Sequence, residues 1–405
     1  MRLEKLLHIV TKIRRLRPFD MELTTTELGT YGLNRPFRVL GTMSGTSMDA
    51  LDVVEAEFTF ADGRWRGSIE ALHQVPLDAT WPERFGALAR VEAAEWFECE
   101  RDWSRWCAAQ IARCTAPQQF DVIAFSGQTI FHQPANGYTA QLGSGAELYA
   151  AFGARVPVVS DLRSLDIALG GQGAPLVPVA DALLFSEYKA CLNLGGFSNI
   201  SLERDGRRLA WDVGPCNLVL NALAQRHGLP FDSSGQLAAS GDVLPELFAD
   251  WMNLPYHHEM APKSLGVEWL QQSFWPVLEQ HEHNSALVTE DLLATAVAYI
   301  AAQARLAANG RKTLVTGGGA FNEELVRRFG EAFPIDEGDV PFEAIVPDAT
   351  LVQGKEAFAF GFLGLLRWLE WDNVWPEVTG SSMAHMGGAL WGKNGLSSPS
   401  PNAMQ

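Results

Sequence analysis

From Arg38 onward, short apolar runs with a two-residue period alternate with longer stretches of helical period. Arg38–Leu40 and Leu51–Phe58 read as strands flanking a turn rich in Gly, Ser and Thr, which predicts a hairpin. Ala93–Cys114 reads as a helix, Asp121–Phe125 as a short strand ending at Ser126-Gly127, Ala146–Phe152 as a helix and Val156–Ser160 as a strand. A loop with Gly170, Gly171, Gly173, Pro175 and Pro178 follows. Lys189–Leu194, Gly195-Gly196 and Phe197–Leu202 predict a second hairpin, with Arg208–Trp211 as a third strand and Leu218–Arg226 as a helix. Glu290–Ala308 is a long Ala-rich helix, Lys312–Val315 a strand, Asn322–Phe329 a helix and Lys355–Leu369 a long apolar helix.

The two strand–Gly-turn–strand units begin about 150 residues apart, at Arg38 and Lys189. Each is followed by mixed α/β chain, so the pattern predicts two lobes on one plan with a cleft between them. The first residues do not join this pattern. Leu3, Leu6, Leu7, Val10 and Ile13 share a helical face ringed by Lys5, Lys12, Arg14 and Arg15, and Pro18 ends it. It lacks the unbroken apolar centre and cleavage site of a secretory signal. A basic amphipathic helix can touch a membrane or a partner, but a packing helix or an over-extended start is the preferred reading.

Composition narrows the class. A length of 405 residues predicts two domains, and 47% apolar with 20% charged residues is ordinary for a globular chain. A formal net charge of −17 weighs against non-specific nucleic-acid binding. No apolar run is long enough for a membrane helix. The five cysteines are odd in number and lack metal or redox spacing, so a reduced, cytoplasmic setting is expected. Most of the thirteen tryptophans are expected in the core.

Several segments can carry chemistry. Gly45, Thr46, Ser47, Met48, Asp49, Ala50, Leu51 and Asp52 continue the first hairpin turn from Gly41. Small side chains, hydroxyls and free N–H groups in one turn can wrap an anion, and Asp49 and Asp52 can hold Mg2+ through its waters. A plain hairpin turn is the alternative. Neither usual nucleotide loop occurs. Asp212, before Gly214-Pro215, is either a base at a strand end or a helix-start Asp satisfying backbone donors. Gly317, Gly318 and Gly319 leave bare backbone on which an adenine or ribose can lie, and Asn322 can cap the helix beyond. Glu356 reads as either a helix-dipole acid or a cleft residue. Gln128 suits sugar hydroxyls. Arg163 can take a carboxylate in bidentate fashion, or pair with Asp161.

Taken together, the chain resembles the anhydro-N-acetylmuramic acid kinase family, of the actin-like (ribonuclease H-like) and hexokinase-like α/β fold. The segments that carry the resemblance, in the family's order, are Gly45–Asp52 after Met43-Ser44, Gly127–Ile130, Gly170–Pro178, Leu192–Ser201, Asp212–Asn217, Pro262–Gly266 around Lys263-Ser264, Gly317–Asn322 and Val378-Thr379-Gly380. The resemblance implies a 1–37 extension, a first lobe over 38–160 to which about 370–395 returns, and a second lobe over 161–369. It implies ATP with Mg2+, an anhydro sugar substrate, a cytoplasmic role in cell-wall recycling and a homodimer. The segment matching Gly45–Asp52 would hold phosphates, with Gly195, Gly196, Gly317, Gly318, Gly319 and Asn322 on the nucleotide side. Asp212 would be the base that activates water, and Glu356 would lie by the sugar; Gln128 and Arg163, read from the residues alone, are the further candidates for sugar contact.

The chain departs from the family where Ala50 and Cys216 replace Gly, and where Ser126 replaces His. A positive φ at Ala50 would strain the turn, and Cys216 beside the base would narrow a pocket. A conventional sugar kinase of the same fold and a non-catalytic ATP-binding module are the rival readings.

Overall fold

The computed structural model describes residues 33, 35–45, 48–284, 287–331 and 342–395. The expected basic helix before Pro18, and Thr46 and Ser47, lie outside the described residues. The chain forms two compact units. One holds the described residues up to Phe185 and those from Glu356 on, the other Ser186–Lys355.

The first unit opens with an antiparallel meander of β1 (Phe37–Ser44), β2 (Ala50–Ala61) and β3 (Arg64–Pro76). The period-2 pattern of β2 buries residues on both faces. Leu51 and Val53 join the cluster of Trp103 and Cys107 from α1 (Ala93–Cys114). On the other face the Phe58 ring stacks on Phe358, with centroids 4.9 Å apart. β4 (Val122–Gln133) runs parallel to β1 and continues into a hairpin with β5 (Tyr138–Leu142). β4 is thus longer than the strand expected over Asp121–Phe125. β6 (Val158–Ser160) lies parallel to β4. Two short helices, α2 (Ser164–Ala168) and α3 (Val177–Leu184), pack on β5 and β3.

The second unit repeats the plan. β7 (Ala190–Leu194), β8 (Phe197–Arg204) and β9 (Arg207–Pro215) form an antiparallel meander that runs into α4 (Asn217–Ala224). The Ala-rich helix α5 (Thr289–Ala308) is buried along most of its length, because small side chains on all faces let it thread the core. β10 (Thr313–Thr316) lies parallel to β7, α6 (Glu323–Arg328) follows, and β11 (Ala344–Ile345) lies parallel to β10. The chain re-enters the first unit within α7 (Ala349–Trp368), and the last strand among the described residues is β12 (Ala389–Trp391), antiparallel to β6.

The strand orders are β3-β2-β1-β4-β6, extended by β12, and β9-β8-β7-β10-β11. In each, three antiparallel strands are followed by two parallel to the first. The repeat hinted at by two hairpins is therefore a whole five-stranded α/β unit. This is the ribonuclease H-like plan of actin-like proteins.

The chain changes unit at Phe185 and Glu356, where the sequence had suggested 160 and 369. The shift at the first crossing follows from α2 and α3, whose partners are strands of the first sheet. The helix expected from Lys355 starts six residues earlier, at Ala349. Asp348 supplies the stop: its Oδ1 accepts the Leu351 N–H at 3.1 Å, an N-terminal cap.

Candidate active site

Asp212 lies inside β9, opposite Asn199 of β8, beside an irregular register that leaves Val213 without a partner. Such a bulge re-aims the side chains next to it. The segment 256–265 then clamps Asp212. Its N–H donates to the Lys263 carbonyl at 3.1 Å, and its carbonyl accepts the Tyr256 hydroxyl at 2.6 Å. Its Oδ2 accepts the Leu265 N–H at 2.8 Å. Lys263 Nζ donates to the Tyr256 carbonyl at 2.6 Å and lies 4.3 Å from the centre of the Tyr256 ring. Among the described residues Oδ1 has no hydrogen-bond partner. Burial raises the Asp212 pKa, and the Leu265 N–H opposes the rise. The helix-start reading of Asp212 fails on this geometry. The residue before α4 is Cys216, and no N–H of α4 reaches Asp212.

Next to this clamp, Tyr299 Oη and His257 Nε2 are 2.7 Å apart. Burial, with Lys263 nearby, pushes His257 down to about 3, so the ring is neutral at physiological pH. Cys216 is fully buried in the core, its thiol pushed up to about 12 by burial, and it does not line the Asp212 side.

The glycine turns of the second unit meet one another. The Cys216 and Leu218 N–H groups donate to the Gly196 carbonyl, and the Asn217 N–H to that of Gly195. Asn217 Nδ2 donates to the Leu194 carbonyl at 2.9 Å. Gly317 has φ +83°, and a Cβ there would lie 2.5 Å from Asn193 Oδ1. A Cβ on Gly319 would lie 2.7 Å from Leu194 Cβ. Two of the three glycines are thus accounted for by the chain's own β7 end. Gly318, where the nearest atom would be 3.6 Å away, keeps a bare face. Asn322 caps α6, its Oδ1 accepting the Leu325 N–H at 2.9 Å.

In the first unit the turn after β1 closes with the Met48 N–H donating to the Gly45 carbonyl at 3.1 Å. The positive φ falls on Met48, at 54°, and not on Ala50, which pairs with Pro76 as the first residue of β2. The departure at Ala50 therefore carries no strain. Asp49 Oδ1 accepts the Ala50 N–H at 2.9 Å, and Asp52 accepts the Gln74 amide at 3.0 Å. Burial raises the Asp52 pKa, the Gln74 bond opposes this, and the Asp49 charge adds to the rise. Leu51 is buried in the core below.

Gln128 is fully buried, with Ser44 Oγ donating to its Oε1 at 2.5 Å and its Nε2 donating to the Thr129 carbonyl at 3.3 Å. Its amide braces β4 against β1. Arg163 donates to the Gly173 carbonyl at 2.8 Å and lies over the Phe360 ring at 5.5 Å. Burial lowers its pKa, and the charge of Glu356 raises it, which brings two predicted sugar-side residues into one electrostatic neighbourhood. The Asp161–Arg163 pair does not form; Asp161 instead accepts the Ser164 N–H at 3.2 Å. Glu356 stands two turns inside α7, so it is not a helix-start acid.

The residues that sequence reasoning missed are Tyr256, His257 and Asp166. Asp166 is fully buried and accepts from Thr379 Oγ1 at 2.7 Å and the Gly173 N–H at 2.6 Å, with His385 Nε2 at 3.1 Å. Two of the segments behind the family resemblance, Gly170–Pro178 and Val378-Thr379-Gly380, meet on this carboxylate. No local pattern marks it, because its two side-chain partners, Thr379 and His385, lie more than 200 residues away.

The family model described as "Anhydro-N-acetylmuramic acid kinase" matches residues 37–393. An anhydro-N-acetylmuramic acid kinase of Pseudomonas fluorescens is 34% identical over 373 residues, covering 87% of this chain and 98% of that one. One of Paramagnetospirillum magneticum is 35% identical over 367 residues, covering 86% and 98%. Among solved structures, the activator of the 2-hydroxyisocaproyl-CoA dehydratase from Clostridium difficile aligns at 15% identity and a TM-score of 0.39, over 81% of this chain and 94% of that one. Family match and relatives agree over nearly the whole described chain: it belongs to the anhydro-N-acetylmuramic acid kinase family.

Proposed function

We propose that the protein opens the internal bridge of 1,6-anhydro-N-acetylmuramic acid with water and phosphorylates the oxygen it frees, giving N-acetylmuramic acid 6-phosphate and ADP in peptidoglycan recycling. The observation that carries this is the Asp212 carboxylate. One oxygen is held by the Leu265 N–H, and the other has no partner among the described residues. A base needs that arrangement: a fixed plane and one open lone pair. Water attacks the anomeric carbon as its proton passes to Asp212 Oδ1. The bond from that carbon to O6 breaks, and O6 takes the γ-phosphoryl group of ATP. The geometry of an inverting glycosidase applies, with phosphorus in place of the acid catalyst, so one carboxylate is enough. A conventional sugar kinase would need no second nucleophile.

In this reading the turn at Gly45–Asp52 receives the ATP phosphates, and Gly318, beside Asn217, lies under the nucleoside. Among the described residues no cluster of three or more metal-ligating side chains exists. Asp49 and Asp52, whose like charges already oppose each other, fit a hydrated Mg2+ that arrives with the phosphates. When bound, that ion supplies the positive charge phosphoryl transfer requires. The reading includes a homodimer and the bacterial cytoplasm, where ATP is at hand. No disulfide links the five cysteines, in keeping with a reducing compartment.

Turnover in oxygen-18 water tests the reaction. The heavy oxygen is expected at the anomeric hydroxyl of the product and absent from the phosphate. Label in neither position would identify a conventional kinase. The nucleotide side has its own test. Gly45→Val is expected to weaken ATP binding at least tenfold in calorimetry, by holding the phosphates off the backbone, and unaltered affinity would remove the turn from the site.

A further inference from the structure

Arg163 is half-buried at the entry to α2 and incompletely used. One guanidinium nitrogen donates to the Gly173 carbonyl, and Phe360 lies under one face. The remaining N–H groups have no hydrogen-bond partner among the described residues. Glu356 acts on Arg163 through its charge and makes no hydrogen bond to it. It helps keep the guanidinium charged and leaves its donor edge open. A fork of parallel N–H groups with an unfilled edge matches a carboxylate.

The peptide that holds Arg163 is itself held. Gly173 has φ +70°, and a Cβ there would lie 2.9 Å from Ile167 and 3.4 Å from the His132 ring. Its carbonyl takes Arg163 while its N–H goes to Asp166 Oδ2 at 2.6 Å. The other Asp166 oxygen takes Thr379, with His385 beside it. One line of bonds thus runs from Thr379 and His385 through Asp166 and Gly173 to Arg163. The Thr379, His385 and Gly173 bonds outweigh burial and hold the Asp166 pKa below the usual carboxylate range, so it is ionised and a full-strength acceptor.

We propose that Arg163 reads the lactyl carboxylate of the muramic acid, the group absent from the parent amino sugar, and that Asp166 is a positioning residue that aims it through the Gly173 peptide. This rests on the sugar-kinase reading above. A hydrogen bond to a charged group is worth ~10–150-fold in affinity. A buried charge left unpaired penalises a substrate that lacks the acid.

The test compares kcat/KM for 1,6-anhydro-N-acetylmuramic acid and 1,6-anhydro-N-acetylglucosamine, which share a ring and differ in the lactyl acid. The parent enzyme is expected to favour the acid. Arg163→Met should reduce the ratio of the two values on the order of 10²-fold. Asp166→Asn should reduce it about tenfold, through KM for the acidic sugar and not KM for ATP. Thr379→Val, which removes one bond to Asp166 while keeping shape, guards against an Asp166 variant that does not fold and should move the ratio the same way. An Arg163→Met enzyme that loses both sugars equally overturns the carboxylate assignment. Variants at Asp166 and Thr379 with a lower melting temperature and an unmoved ratio overturn the positioning role. A parent enzyme that phosphorylates neither sugar overturns the sugar-kinase reading instead, so the two failures are distinct.

Discussion

Asp212→Asn is expected to abolish most turnover while leaving the fold and both ligand affinities nearly intact. Asn keeps the shape of the side chain and still offers an oxygen to the Leu265 N–H, so the clamp at 256–265 persists. It cannot accept a proton from water. A positioned base contributes ~10²–10⁴-fold, and the loss should lie at the upper end, because the same water must displace O6. The raised pKa of Asp212 adds a pH signature. The acid limb of kcat/KM should lie above the ordinary carboxylate range and disappear in the variant.

Stability supplies a second sign. A carboxyl group whose folded pKa is raised binds more protons folded than unfolded, so stability falls as pH rises from the ordinary carboxylate value through the folded one. At neutral pH the ionised Asp212 is therefore a cost. Asp212→Asn should melt at the parent temperature or slightly above it. Near-parental turnover would remove Asp212 from the chemistry.

The sequence showed most where the physics is local. Alternation marked the hairpins because strand side chains point to alternate faces, and the three glycines at 317–319 announced a close approach. It could not say what approached. Gly317 and Gly319 accommodate Asn193 and Leu194, so only Gly318 is left for a ligand. Asp212 was ambiguous for the same reason. A base at a strand end and a helix-start Asp look alike until Leu265, 53 residues on, is seen to hold one oxygen. Gln128 was legible only as a polar side chain, since an amide at a strand end suits a sugar as well as it suits Ser44, its partner here. Strand β3 went unpredicted because its outer face is exposed and its apolar residues are sparse. Asp166 was invisible: a buried acid is recognised by its partners, and Thr379 and His385 come from the far end of the chain.

Gly41→Ala is expected to cost the first unit a large share of its stability, although the position lies only four residues before the proposed phosphate turn. A Cβ on Gly41 would stand 2.1 Å from the Ala357 carbonyl oxygen and 3.0 Å from both the Cα and N of Gly361. All three atoms are helix backbone, from one turn of α7, so no side chain can swing aside. Gly41 is also central in β1, paired with Val54 on one side and Ala124 on the other, and cannot retreat without breaking the sheet. Overpacking commonly costs ~1–3 kcal/mol and more where backbone must move. Against a total of roughly 5–15 kcal/mol, that is a large share. Gly364 follows the same logic one turn on, where a Cβ would meet Ala124 Cβ at 2.5 Å. Gly86→Ala is the control, because a Cβ there meets nothing within 4 Å and Ala favours a helix. Thermal melting of the two variants separates packing from ligand binding. Gly41→Ala should melt far below the parent with or without ATP, and Gly86→Ala should not. A Gly41→Ala protein that melts like the parent but fails to bind ATP would instead make this glycine part of the phosphate site.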